Sequence, residues 1–138
     1  MPGSQVTLII PCYNEIAGIP QLMGRLQAMH DAGQMVGWEV LFVNDGSKDG
    51  TREALNVVAA DHDWVRVIHH GSNKGLGAAV RTGFENALAP VICTMDSDCT
   101  FAPETLPNLP KKLSKPHFYS TIFSASFAQS PTDKRQMQ

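Results

Sequence analysis

Four short apolar runs, each breaking off into a cluster of polar residues, constrain what this chain can fold into more than any other feature. Three are residues 6–10 (VTLII), 39–44 (EVLFVN) and 65–69 (VRVIH), and the fourth opens the stretch VICTMDSDCT at residues 91–100. Unbroken β-branched and aliphatic runs, without the alternation of a half-exposed strand, suit parallel strands covered on both faces. Between them the period changes to that of a helix. Ile16, Ile19, Leu22, Met23, Leu26 and Met29 follow the first run, Leu55 and Val58 the second, and Val80, Phe84, Ala87 and Leu88 share one face of a helix over residues 76–87. Strand and helix alternating in this way predict an α/β, Rossmann-like domain: a mainly parallel sheet with flanking helices and right-handed crossovers. The polar clusters CYNE, DGS, SNKG and DSD then share the carboxyl edge of the sheet, where open α/β sheets bind their ligands.

Proline and glycine punctuate the pattern. Pro11 predicts the end of the first strand, Pro20 the start of the first helix, and Pro90 the end of the third. Residues 31–37 carry two glycines and read as a return loop, and Asp49 or Thr51 is placed to cap the second helix.

Length and charge exclude several classes. At 138 residues the chain is one domain's worth, and a net charge of −2 gives no footprint for nucleic acid. Three cysteines, Cys12, Cys93 and Cys99, lack any metal-ligand spacing and read as reduced thiols of a cytoplasmic protein. No apolar stretch reaches the roughly 20 residues of a membrane helix, so membrane contact is expected to be peripheral.

The chemistry lies in the four clusters. Asp96 and Asp98, one residue apart at the end of the fourth strand, suit Mg²⁺ or Mn²⁺, which take oxygen ligands from one or two carboxylates and complete their shells with phosphates and water. The other reading of such a pair is a cap for the next helix. Residues 71–77 form a glycine-rich turn whose backbone N–H groups and following helix N-terminus suit an anion, with Lys74 as a phosphate contact or a solvated surface lysine. The spacing meets neither GxGxxG nor the P-loop, which disfavours a dinucleotide oxidoreductase. Asp45, Ser47, Asp49 and Gly50 resemble the start of a calcium loop, but Asn56 stands where that loop needs glutamate.

Taken together, IPCYNE (10–15), VNDGSKDGT (43–51), NKGLGAAVRTGF (73–84) and MDSD (95–98) resemble the nucleotide-binding half of the family 2 glycosyltransferases, with the GT-A fold, and most of all the dolichyl- or polyprenyl-phosphate sugar transferase branch. The resemblance covers residues 6–109 and implies a UDP- or GDP-linked sugar donor, Mg²⁺ or Mn²⁺, and a polyprenyl-phosphate acceptor. It places Pro11, Tyr13 and Glu15 along the base and ribose and Asp45 at the base edge. Asn73, Lys74 and Gly75 fall on the nucleotide, Asp96 on ribose and metal, and Asp98 on the metal. Asn44 stands where relatives often have aspartate. Tyr13 as turn packing and Glu15 as a helix-start charge are the structural alternatives.

Residues 1–110 are thus read as the nucleotide-sugar-binding half. Residues 111–138, rich in Ser, Phe and Gln, are expected to be an atypical, poorly ordered tail left by a truncated, spliced or frame-shifted end. The fourth strand is then expected to present a bare apolar edge. No catalytic base is assigned: His117 and Asp133 could stand in for one, but nothing in the sequence places them near the metal, and a fragment that binds nucleotide and metal without turnover is the alternative to an active transferase.

Overall fold

The computed structural model describes residues 3–97 and 121–122. Five strands form one parallel sheet in the order β3-β2-β1-β4-β5: β1 (Val6–Cys12), β2 (Trp38–Asn44), β3 (Val65–His69), β4 (Val91–Thr94) and the short β5 (Thr121–Ile122). The helices α1 (Ile19–Asp31), α2 (Thr51–Asp61) and α3 (Leu76–Asn86) make the first three crossovers. Strand order runs outward from β1 in both directions, so the β1–β4 boundary is the switch point of the sheet.

Strand periodicity sorts the core into two layers. Leu8, Ile10, Val40 and Phe42 point to one face with Leu22, Leu26 and Leu55, while Ile9, Leu41, Val43 and Ile92 point to the other with Ala79 and Phe84. Both faces are covered, as the unbroken apolar runs require. Each fully buried Leu, Ile or Phe contributes roughly 1.5–3 kcal/mol through area removed from water. α3 lies close on its face because Gly83 has no side chain: a Cβ there would stand 2.6 Å from Ile9 Cγ2.

The expected stripe of α1 is buried from Ile19 to Met29, but Ile16 precedes the helix and is 38% exposed. Leu88 likewise falls outside the packed face of α3 and is 54% exposed, because that helix ends at Asn86. The cap of α2 is Gly50 rather than Asp49 or Thr51. Asp49 still serves this helix start, since its Oδ1 accepts the Thr51 N–H at 3.0 Å.

Pro11 does not end β1, which continues to Cys12 in register with Asn44. Ile9 O accepts Met95 N–H on the β4 side and Cys12 O accepts Asp45 N–H on the β2 side. Alternation along the strand therefore turns Pro11 toward β4, beyond the last β1–β4 pair at Ile9 and Thr94. The missing N–H costs no ladder bond there. The expected bare edge of β4 is also corrected, since Ile92 and Cys93 pair with Thr121 and Ile122. Apart from those two residues, the expectation of a poorly ordered stretch over 111–138 lies outside the described residues, as do His117 and Asp133.

Candidate functional site

A pocket of about 290 Å³ opens at the switch point, near the lower end of the range for small-molecule sites. The carboxyl ends of β1, β2, β3 and β4 all contribute to it. Pro11 comes from the end of β1, Tyr13 and Glu15 from the β1–α1 loop, Asp45 from just beyond β2, Asn73 and Gly75 from the β3–α3 turn, and Asp96 from just beyond β4. Thus seven of the eight residues expected to hold a nucleotide line one cavity. Lys74 is not among the lining residues, although it is exposed in the same turn. Asp98 lies outside the described residues.

Asp45 is the centre of the arrangement and is 4% exposed. Its Oδ1 accepts from His70 Nδ1 at 2.7 Å and from Lys74 N–H at 2.9 Å, and its Oδ2 accepts from Gly75 N–H at 2.9 Å. Burial opposes ionisation, but the His70 hydrogen bond, followed by those of Lys74 and Gly75, more than offsets it and holds the carboxyl below its ordinary value. This corrects one expectation: the N–H groups of Lys74 and Gly75 are not free to cradle an external anion, because the protein's own carboxylate occupies them. The glycine turn is instead anchored to β2. Asn73 Nδ2 adds a bond to Asp45 O at 3.3 Å.

Close approach makes Gly46 necessary next to this anchor. Its φ is +75°, and a Cβ there would come within 2.4 Å of the backbone at Ser72 and Asn73. No flexible side-chain tip is available to yield, so a larger residue would push the β3–α3 turn away.

The β1–α1 rim is braced against the β2–α2 loop and the first residue of α2 by main-chain donors. Asn14 N–H donates to Ser47 Oγ at 2.9 Å, Glu15 N–H to Thr51 Oγ1 at 2.9 Å, and Ile16 N–H to Asp49 Oδ2 at 3.2 Å. Asn14 Oδ1 returns a bond by accepting Lys48 N–H at 2.9 Å. Asn14 has φ 51°, in the left-handed region that asparagine tolerates better than most side chains. Ser47 and Asp49, which resemble calcium-loop residues in sequence, are thereby occupied with neighbouring backbone.

Cys12 also lines the pocket, but burial pushes its thiol up to about 12 against the opposing hydrogen bond with Ser97. It stays protonated near neutrality and is not a nucleophile. Among the described residues no three His, Cys, Asp or Glu side chains converge to hold a metal ion. Asp96 is the described carboxylate expected to bind one, and a single carboxylate together with diphosphate oxygens is an arrangement Mg²⁺ and Mn²⁺ accept.

Sequence reading missed His70, which lies 2.8 Å from Thr82 Oγ1 through Nε2 and so ties Asp45 to α3. Its place directly after a strand was the available signal. It also missed Asn14 as a brace, which no spacing rule marks.

Comparison with known proteins agrees with this fold. Residues 7–138 match the model of the family described as Glycosyl transferase family 2. Polyprenol monophosphomannose synthase of Mycolicibacterium smegmatis is 41% identical over 112 residues, covering 78% of this chain and 40% of the synthase. The mannosyltransferase PcManGT of Pyrobaculum calidifontis, solved with GDP-Man and Mn²⁺, superposes with a TM-score of 0.68 at 26% identity, over 81% of this chain and 33% of that one. TarS 1-349 of S. aureus, solved with UDP-GlcNAc, gives a TM-score of 0.64 at 25% identity, over 78% of this chain and 30% of that one. The chain therefore spans well under half the length of these relatives.

Proposed function

The chain belongs to glycosyl transferase family 2, and from that premise we propose that its pocket binds the nucleoside diphosphate of an activated sugar together with Mg²⁺ or Mn²⁺, for transfer of the sugar to a polyprenyl phosphate. The observation that carries the reading is the convergence of the ends of β1 to β4 on one cavity that holds both an exposed aromatic and carboxylates. Residues 1–110 form the donor-binding unit in this reading.

Each role follows from what the side chain offers. Tyr13, 47% exposed at the rim, supplies a flat apolar surface for the base, and Pro11 shapes the wall behind it. Glu15 and Asn73 offer acceptors and donors to ribose hydroxyls. Asp45 keeps acceptor capacity on Oδ2 for a base N–H, because one carboxylate oxygen takes two hydrogen bonds and only the Gly75 contact is made there among the described residues. The exposed ammonium of Lys74 brings positive charge to the diphosphate side. Asp96 and Asp98 would hold the metal, which when bound neutralises the charge that develops on the leaving diphosphate.

Support for the donor and metal comes from PcManGT, solved with GDP-Man and Mn²⁺, and from TarS, solved with UDP-GlcNAc. Support for the acceptor comes from the polyprenol-linked name of the Mycolicibacterium smegmatis relative. Among the described residues no helix is long and apolar enough to cross a membrane.

Calorimetric titration with GDP and UDP, each with and without Mn²⁺, tests the reading. Metal-dependent binding of one nucleotide is expected, weakened at least about tenfold in Asp96→Ala, since a charged ligand to the metal is lost. Equal binding with and without metal would overturn the metal role. A following assay with polyprenyl phosphate separates sugar transfer from binding without turnover.

A further inference from the structure

A continuous line of hydrogen bonds runs behind the pocket rim, starting at the tip of β3 in a residue that does not line the pocket. His69 Nδ1 lies 2.9 Å from Asn44 Nδ2, and His69 Nε2 lies 2.7 Å from Asn56 Oδ1 on α2. The orientation of the Asn44 amide is fixed from its other side. Its Oδ1 receives Ser47 N–H at 3.3 Å and the Ser47 hydroxyl at 2.5 Å, and a backbone N–H can only donate. Asn44 Nδ2 therefore faces the histidine as a donor, and His69 Nδ1 must accept. The ring is neutral, with its proton on Nε2. Beyond Ser47, the Asn14 N–H donates to Ser47 Oγ, and Asn14 is the left-handed residue between Tyr13 and Glu15.

We propose that His69 and Asn44 are positioning residues: the relay His69–Asn44–Ser47–Asn14 holds the turn at Asn14, and with it the Tyr13 and Glu15 walls of the pocket, and only neutral His69 completes it. The binding readout rests on the nucleotide reading above, whereas the relay itself does not.

Protonating His69 cannot be absorbed by the network. A proton on Nδ1 sets two donors face to face, and turning the Asn44 amide over moves the conflict to the other end, where Nδ2 would meet the Ser47 N–H. No orientation of Asn44 satisfies both neighbours. Burial and then the Arg52 guanidinium on α2 hold His69 below its ordinary value, against the opposing Glu53 carboxylate of the same helix. From β2 the group that faces the ring is the Asn44 amide, and from α2 Asn56. The relay is thus complete at neutral pH and breaks as acid titrates the ring.

The test follows the Asn14 and Ser47 amide resonances of the full chain from pH 8 to pH 5, with GDP and UDP affinities measured in Mg²⁺ across the same range. In the wild type the Asn14 amide moves with the protonation of His69, and affinity falls by about fivefold, the equivalent of one net hydrogen bond. His69→Asn offers Asn44 an acceptor at every pH and loses this acid dependence. Asn44→Asp reverses the requirement, because a carboxylate accepts from an imidazolium, and also loses it. An Asn14 amide that stays still while His69 titrates would overturn the relay, as would an acid dependence retained in His69→Asn. A wild type that binds neither nucleotide would remove the nucleotide reading, and the Asn14 resonance would still decide the relay.

Discussion

The strand β2 carries a buried carboxylate at each end, and the two are used differently. Glu39, at the amino end, is fully buried, and its Oε1 accepts Arg66 Nε–H at 2.8 Å. Its Oε2 accepts the Thr7 hydroxyl at 2.5 Å and Leu88 N–H at 2.8 Å. These partners stand on β1, on β3 and in the α3–β4 turn, so the carboxylate ties regular elements together. Asp45, just beyond the carboxyl end, takes its bonds from His70 and from the backbone that opens α3. One carboxylate closes the sheet and the other shapes a loop over a pocket. Burial and saturation with donors are therefore no guide to function by themselves; what the donors belong to makes the distinction.

Removing each carboxylate separates the two roles most strongly. Glu39→Ala leaves Arg66 without its ion-pair partner and Leu88 N–H unsatisfied, and is expected to cost ~3 kcal/mol in denaturant unfolding, the lower end for a broken buried pair because Arg66 is 32% exposed and keeps its bond to Asn86 O. Nucleotide affinity of the molecules that remain folded should be unchanged. Asp45→Ala is expected to cost about 2 kcal/mol, since hydrogen bonds to a charged acceptor are lost, and to weaken nucleotide binding more than tenfold. A Glu39 variant that loses affinity as severely as the Asp45 variant would erase the comparison.

Acid sharpens the same contrast. Burial raises the Glu39 carboxyl, but Arg66, then Thr7 and Leu88, more than offset it, so both carboxyls sit below their ordinary values. A group depressed in the folded state contributes stability that is present above the ordinary carboxylate range and lost as pH falls through the folded value. Wild-type stability is thus expected to decline below about pH 4.5, with a shallower decline in Glu39→Ala, measurable by thermal unfolding across pH. The smallest effect is assigned to Lys74→Ala. Its exposed side chain should contribute under about 0.5 kcal/mol to stability, while nucleotide affinity falls a few-fold and the loss shrinks at high salt.

The sheet and its ligand edge were legible because they depend on patterns that chain neighbours share. Unbroken apolar runs marked β1, β2 and β3, and helical spacing placed Ile19, Leu22 and Leu26 on one buried stripe. Pocket walls followed, since a strand end must deliver whatever residue comes next. What depends on meetings across the fold was not legible. Pro11 stays in β1 only because the β4 ladder has already ended beside it, which a one-dimensional reading has no means to register. The N–H groups of the glycine turn suited an external anion until Asp45, 29 residues before Lys74, was seen to fill them. Asn14 and His69 look ordinary in sequence and acquire meaning from distances of 2.9 Å, between two loops for Asn14 and Ser47 and between the ends of β2 and β3 for Asn44 and His69.

The most direct test of the site is chemical-shift mapping of the chain with GDP or UDP in Mg²⁺. Shifts are expected to concentrate on Tyr13, Glu15, Asp45, Asn73, Gly75 and Asp96, which line the pocket, and on Lys74 in the same turn. Shifts gathered instead on the groove near Phe84, Leu88 and Ile92, away from those residues, or no shifts at saturating nucleotide, would contradict the assignment of the switch-point pocket as the donor site.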